Sequence, residues 1–209
     1  RTEKDWQLIV HDGSDIAKKW ANEMEGLSIV RDGSRKELVK GYHLFCSIGV
    51  GKTEWDNFPI DVTMVNPQSK NFTCVADVEK NHIRNILRNG IGLHHLHVFD
   101  RGYDDRKWFD FFEAELELWM VRMTMKRNLL FRDVRGCPIK VVVETLLNES
   151  KYIHVGLKYG YGKVWIDDGN GEFKEYTLVV IEDPKKREPM MLLTNAEVSK
   201  MKETVTCYI

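Results

Sequence analysis

The chain has 209 residues, 43% hydrophobic and 30% charged, and its 31 basic and 32 acidic side chains leave a net charge of −1. That composition fits a soluble globular protein with one large domain, or a domain carrying a sizeable insertion. It excludes a bilayer-spanning apolar run, while a nearly balanced charge neither demands nor excludes a nucleic-acid partner. The four cysteines, Cys46, Cys74, Cys137 and Cys207, form no C-x-x-C pair, which argues against structural zinc and for reduced thiols in a cytoplasmic protein. The chain opens Arg1-Thr2-Glu3-Lys4, with neither an initiator Met nor a charged-then-apolar leader, and stops abruptly at Cys207-Tyr208-Ile209. It reads as a piece of a longer protein.

In chain order, Trp6 to His11 is a short apolar strand expected to end at Asp12-Gly13-Ser14-Asp15. A polar, Gly-punctuated region follows from Ile16 to Arg35, with a turn signal at Arg31-Asp32-Gly33-Ser34. Gly41–Val50 and Pro59–Asn66 read as strands, the second alternating at period two. Between them, Gly49-Val50-Gly51-Lys52-Thr53 superficially looks like a phosphate loop, but lacks the upstream glycine spacing and a following amphipathic helix. Val78–Leu87 has helical spacing and ends at Asn89-Gly90.

A second apolar run, Leu96-His97-Val98-Phe99, enters Asp100-Arg101-Gly102-Tyr103-Asp104, and a helix is expected from there to about Glu117. Leu118–Met125 reads as a strand leading to the basic turn Lys126-Arg127-Asn128. From Leu129 to Asn195 short strands are expected at Val141–Val143, Tyr152–Leu157, Lys163–Ile166, Tyr176–Ile181 and Met190–Thr194, split by Gly and Asp-Gly punctuation. Glu197–Ile209 again has helical spacing. The chain thus divides into a mixed α/β part and a β-rich part, with no internal repeat.

Two strands of matched grammar, each expected to stop at an Asp near a Gly, carry the chemistry. The carboxyl end of a buried strand projects its side chain into a crevice, a common place to hold a metal; an Asp before a Gly-containing turn is also ordinary cap chemistry. If the two strands are parallel neighbours, about 4.8 Å apart, Asp12 and Asp100 could share a pair of cations. Two divalent ions about 3.5–4 Å apart activate an attacking oxygen and stabilise a leaving one in phosphoryl transfer. Mg²⁺ suits carboxylate donors.

At these residues the sequence resembles the bacterial insertion-sequence transposases of the RNase H-like DDE superfamily, in the group with a β-rich insertion before the last acidic residue. Asp-Arg-Gly-Tyr-Asp followed by a Phe-rich helix resembles their second acidic motif, and Ile9-Val10-His11-Asp12-Gly13-Ser14-Asp15-Ile16 the first. Glu25-Gly26-Leu27, Arg31–Ser34 and Gly41–Leu44 resemble the segment after the first motif. Arg122 with Arg127–Leu130 resembles the basic strand end after the second, and Pro189–Asn195 the strand closing the insertion.

The resemblance implies an α/β fold, an RNase H-like mixed sheet core with an inserted β-rich subdomain. The core would span 1–128, the insertion 129–195, and 196–209 would start the helix returning to the core. It implies Asp12 and Asp100 as catalytic, metal-binding carboxylates for two Mg²⁺ (or Mn²⁺) ions, with Asp104 in support. Its third motif reads Tyr, two residues, Arg, three residues, Glu. Tyr208 fits the opening Tyr, so the Glu would fall beyond Ile209 and this chain alone would lack the third ligand. The implied activity is DNA strand cleavage by water, then strand transfer by the freed 3′-hydroxyl. The implied partners are transposon-end and target DNA, with a homodimer as an option, no membrane, and a nucleoid-associated bacterial setting.

Lys18, Lys19, Arg101, Arg106, Arg122, Lys126 and Arg127 are candidate DNA-phosphate contacts or solvated surface charges. Asp15 is a supporting carboxylate or, more simply, a turn cap. His94, His95 and His97 invite a zinc reading, but along a strand only His95 and His97 share a face and no Cys is near. His11 and His43 read as strand residues with satisfied rings. Trp108, Phe109, Phe111 and Phe112 read as helix packing, while Tyr161 and Trp165 are open to base contact. Two rivals stay open: a metal-dependent nuclease or resolvase on the same core, and a catalytically inactive remnant that only binds DNA.

Overall fold

The computed structural model describes residues 8–21, 23–51, 56–154 and 156–197. The expected helix at 197–209 and Tyr208 therefore lie outside the described residues, Glu197 apart. The protein is mixed α/β, with mostly antiparallel strands and three α-helices among the described residues. It divides into two compact units, 1–97 and 98–209.

The first unit is built on one long strand. β1 (Leu8–Ala17) pairs along its whole length with β3 (Glu37–Val50), Leu8 opposite Val50 and Ala17 opposite Gly41. The other edge of β3 pairs first with β2 (Ser28–Asp32) and then with β4 (Phe58–Val65). The pairing of β3 with β4 slips between Ser47 and Ile48, so Ile60 is an extra, bulged residue. Helix α1 (Val75–Arg88) carries Asp77 in its first turn and Arg88 in its last, matching the helix dipole. Its buried stripe, Glu79, His82, Ile83 and Ile86, meets the sheet, where His82 packs edge-on against Phe45 at 4.7 Å.

β1 does not stop at Asp12: the strand runs five residues further, and Gly13-Ser14-Asp15, turn-like in composition, is held extended by pairing with Phe45, Leu44 and His43. The fourteen-residue partner strand overrides local propensity. Part of the polar stretch from 16 to 35 is likewise strand, at Ile16-Ala17 and in β2.

β5 (Leu96–Phe99) begins at the end of the first unit and finishes in the second, where a single 3-10 turn (Arg101–Tyr103) leads to α2 (Arg106–Glu115). The Asp105 carboxylate caps α2 by accepting from Lys107 N at 2.8 Å. Trp108, Phe109, Phe111 and Phe112 are all buried, with Phe112 stacked on Phe99 at 4.1 Å and Phe109 on Trp119 at 5.6 Å, so the aromatic helix packs as its spacing requires. The sheet of this unit runs β6 (Leu118–Arg122), β12 (Met190–Thr194), β11 (Phe173–Glu182), β10 (Leu157–Asp167), β7 (Asn128–Phe131), β8 (Val134–Pro138), with β9 (Tyr152–His154) also paired to β10.

Val141–Val143 is not a strand. It lies inside α3 (Ile139–Glu149), whose buried residues Ile139, Val142, Val143, Leu146 and Leu147 repeat at three and four. The helical period outweighs the β-propensity of three valines. α3 packs closely on β10, where two glycines make room: a Cβ at Gly160 would sit 2.4 Å from the Leu146 carbonyl oxygen, and one at Gly162 would sit 2.7 Å from a Leu146 methyl. No helix among the described residues is long and apolar enough to cross a membrane.

Candidate functional site

In the second unit, Asp100 is the first residue after the fully buried β5 and is itself exposed. Its Oδ1 accepts from Gly102 N at 2.8 Å, so the carboxylate caps the 3-10 turn as well as standing at a strand end. Asp104 braces the same segment. Its side chain is 1% exposed, accepts from Thr124 N and Oγ1 at 2.8 Å each, and takes Arg127 Nε at 3.0 Å and Nη2 at 2.6 Å. Both guanidinium bonds converge on Oδ1 while Oδ2 takes the two from Thr124, and charge assistance strengthens the Arg127 pair. Arg127, a candidate phosphate contact, is thus engaged inside the protein and also lies 5.0 Å over the Phe109 ring.

The other second-unit cations divide. Arg101 and Lys126 are exposed. The guanidinium of Arg106 lies against Gly169 in the β10–β11 turn, where any Cβ would collide with it. Arg122, at the end of β6, holds a buried Nε with no hydrogen-bond partner among the described residues. Tyr161 is stacked on Tyr152 at 5.5 Å, and Trp165 pairs across from Leu130.

In the first unit, Asp12 is an exposed mid-strand residue opposite Cys46. Burial pushes the Cys46 thiol up, with the Asp12 charge adding to it. Lys18 is exposed and its backbone N donates to Lys40 O at 2.8 Å; Lys19 pairs with Glu37 at 3.2 Å. Asp15 is not a turn cap. Held extended in β1, it accepts from Arg31 N at 3.0 Å and meets His43 Nδ1 at 2.7 Å. Among the described residues His43 Nε2 has no partner at hydrogen-bond distance, but it lies 3.7 Å from Glu79 Oε1, an ion-pair distance. Flanked by Glu79 and Asp15, the imidazole is pushed up to about 9 against the opposing effect of burial.

Beneath this face runs a polar chain that sequence reading passed over. His82 Nδ1 meets Thr63 Oγ1 at 2.7 Å, His82 Nε2 meets Ser47 Oγ at 2.7 Å, Ser47 Oγ meets His11 Nδ1 at 2.7 Å, and His11 Nε2 meets His97 Nδ1 at 2.8 Å. His97 Nε2 ends the chain on Gly92 O at 2.9 Å. A carbonyl can only accept, so His97 carries its proton on Nε2, and neutral rings then fix every other bond. His11 donates to His97, Ser47 to His11, His82 to Ser47, and Thr63 to His82. Burial lowers all three imidazoles: His11 well below its ordinary value, His97 to about 4, and His82 to a lesser extent, with Asp61 opposing from 3.3 Å. His97 spends both ring nitrogens here, and His94 and His95 precede β5 in a turn, so the three do not form the strand-face zinc set considered from sequence. The available signal was histidines set in strongly apolar runs on separate elements, where burial obliges them to satisfy one another.

Among the described residues, no group of three or more His, Cys, Asp or Glu side chains is gathered to hold a metal ion. The donors present therefore do not make up a complete two-ion centre.

No family model matches the sequence, and no curated protein matches it. Among solved structures, the crystal structure of the NurA nuclease from Sulfolobus solfataricus is similar at 12% identity, over 96% of this chain and 71% of that one, with a TM-score of 0.44.

Proposed function

We propose that the chain is the catalytic core of a DDE-type DNA transposase, cleaving a DNA strand with water and joining the freed 3′-hydroxyl to target DNA. The observation that carries this reading is the setting of Asp100. An exposed carboxylate follows directly on a fully buried strand, on a segment held by the buried Asp104–Arg127–Thr124 bonds. A rigid strand end with a projecting acid is what positioned phosphoryl-transfer chemistry needs. Support also comes from the first unit, with antiparallel strands β1, β3 and β4 and then α1 leading to β5, as expected for the start of an RNase H-like core. The predominance of strands after 128 supports a core at 1–128, a β-rich insertion at 129–195 and a return at 196–209.

Mg²⁺ or Mn²⁺ is the cofactor this reading requires, with Asp12 and Asp100 as its expected carboxylates; the described donors fall short of a full site. Arg101, Arg122, Lys126, Lys18 and Lys19 are the proposed contacts to DNA phosphates, which set position rather than read sequence.

The test is strand cleavage and strand transfer by the native protein on DNA carrying its cognate ends. Asp100→Ala should abolish both while leaving DNA binding intact. Cleavage that survives the substitution sinks the assignment, and Asp100-dependent cleavage without transfer moves it to the nuclease rival.

A further inference from the structure

The β2–β3 hairpin of the first unit carries a surface that the proposed chemistry does not use. Cross-strand register sets Ile29 opposite Lys40 and Arg31 opposite Leu38, so these four share one face. All four are exposed, Ile29 at 66% and Leu38 at 73%. The strand acids Asp32 and Glu37 fall on the other face, with the buried Val30. Asp32 is further committed to the turn, its Oδ1 accepting from Ser34 N at 2.9 Å and Ser34 Oγ at 2.6 Å, and Glu37 is committed to Lys19. The tip so fixed, closed by Lys36 N donating to Asp32 O at 2.8 Å, presents exposed Arg35 and Lys36. At the base of the hairpin, the Lys18 N bond to Lys40 O sets the segment bearing Trp20, 89% exposed, beside it.

We propose that this hairpin is a ribbon that docks on duplex DNA, its cations on phosphates and its two aliphatics against sugar edges or base methyls. The proposal rests on the DNA-directed reading of the protein and adds to it a surface and a mode of contact. Cations alternate with aliphatics across the face and no acid interrupts them, which complements an anionic polymer whose grooves are partly apolar. A two-stranded ribbon fits the DNA major groove, about 12 Å wide. A bilayer fits less well: insertion needs an apolar tip, and this tip is Gly33-Ser34-Arg35-Lys36.

The test uses the whole chain and a short duplex, with binding read by fluorescence anisotropy between about 50 and about 200 mM salt. Replacing Arg31, Arg35, Lys36 and Lys40 together by Gln should flatten the slope of log K against log salt by about 3.6, at roughly 0.9 per phosphate contact. Leu38→Ala should weaken binding severalfold with the slope unchanged. Far-ultraviolet circular dichroism and the urea midpoint, matched to the parent chain, establish that each variant is folded. Unchanged affinity and slope in the fourfold variant overturn the proposal, and so does a loss confined to anionic vesicles. If Asp100→Ala abolishes cleavage while the fourfold variant binds like the parent, the hairpin inference alone fails. If hairpin-dependent binding holds but cleavage ignores Asp100, the catalytic reading alone fails.

Discussion

His11 Nε2 donates to His97 Nδ1 across 2.8 Å, with the two rings edge to edge and nearly coplanar, their centroids 5.1 Å apart at an interplanar angle of 5°. Both residues are 1% exposed, so each ring depends wholly on its protein partners. The direction of the bond is imposed by Gly92 O, which forces the proton of His97 to the far nitrogen.

Ser47 is the hinge of that chain, the one hydroxyl that both donates to His11 and accepts from His82. Ser47→Ala strands a ring acceptor and a ring donor in a fully buried site. The expected loss is about 1–3 kcal/mol for each orphaned group. Urea unfolding of the whole chain measures it, and a midpoint within error of the parent would show that the chain of bonds contributes nothing.

The same burial makes the protein acid-sensitive. His97 is lowered to about 4 from an ordinary 6.5, so between these values the unfolded chain binds a proton that the folded one refuses. The contribution of this group is therefore complete above about 6.5, falls as the pH drops towards 4, and levels below it, a loss on the order of 3 kcal/mol. His11 steepens the fall, since its shift has the same sign. His82 is the softest member: a proton taken on Nδ1 turns towards Asp61 and leaves its bond to Ser47 intact. Unfolding free energy against pH should show this limb in the parent and a shallower one in His97→Gln.

His43 works in the opposite sense. Raised to about 9 by Glu79 and Asp15, it holds a proton in the folded state that the unfolded chain releases near 6.5. Its contribution is full below about 6.5 and disappears as the pH rises through 9. His43→Gln should erase this alkaline limb and leave the acid limb in place. A parent chain whose stability is flat from pH 6.5 to 9 would refute the charged ring.

Asp104→Ala removes a buried carboxylate that four bonds converge on and leaves Arg127 without its counter-charge. The expected loss is about 3–5 kcal/mol, as for any buried pair deprived of one partner. Thermal unfolding checks it, and Asp104→Asn should retain the Thr124 bond and part of the stability.

Much of the fold was written locally. The period-two run at β4, the helical stripe of α1 and the Phe-rich α2 lie where spacing puts them, and Asp100 does stand at a strand end. What escaped was decided by distant partners. Asp12 looked like a strand terminus because Gly13 and Ser14 carry turn chemistry, and only the length of β3 keeps them extended. Val141–Val143 read as strand by residue type, and their helix is visible only when Ile139, Leu146 and Leu147 are counted with them. The polar chain joins residues from β1, β3, β4, α1 and β5, so no local pattern could have assembled it.

Gly162 and Leu146 occupy complementary volumes, since the space a Cβ would need on the strand is already filled by a leucine methyl from the helix. The Leu146 methyl is the far end of a flexible side chain, so a Cβ at 162 can be met by its moving aside or by its removal. Whatever Gly162→Ala costs should therefore be relieved by Leu146→Val. At Gly160 no such exchange exists, because the obstacle there is the backbone oxygen of residue 146, which no side-chain substitution removes. Of two neighbouring glycines on one strand, one is negotiable by covariation and the other is not.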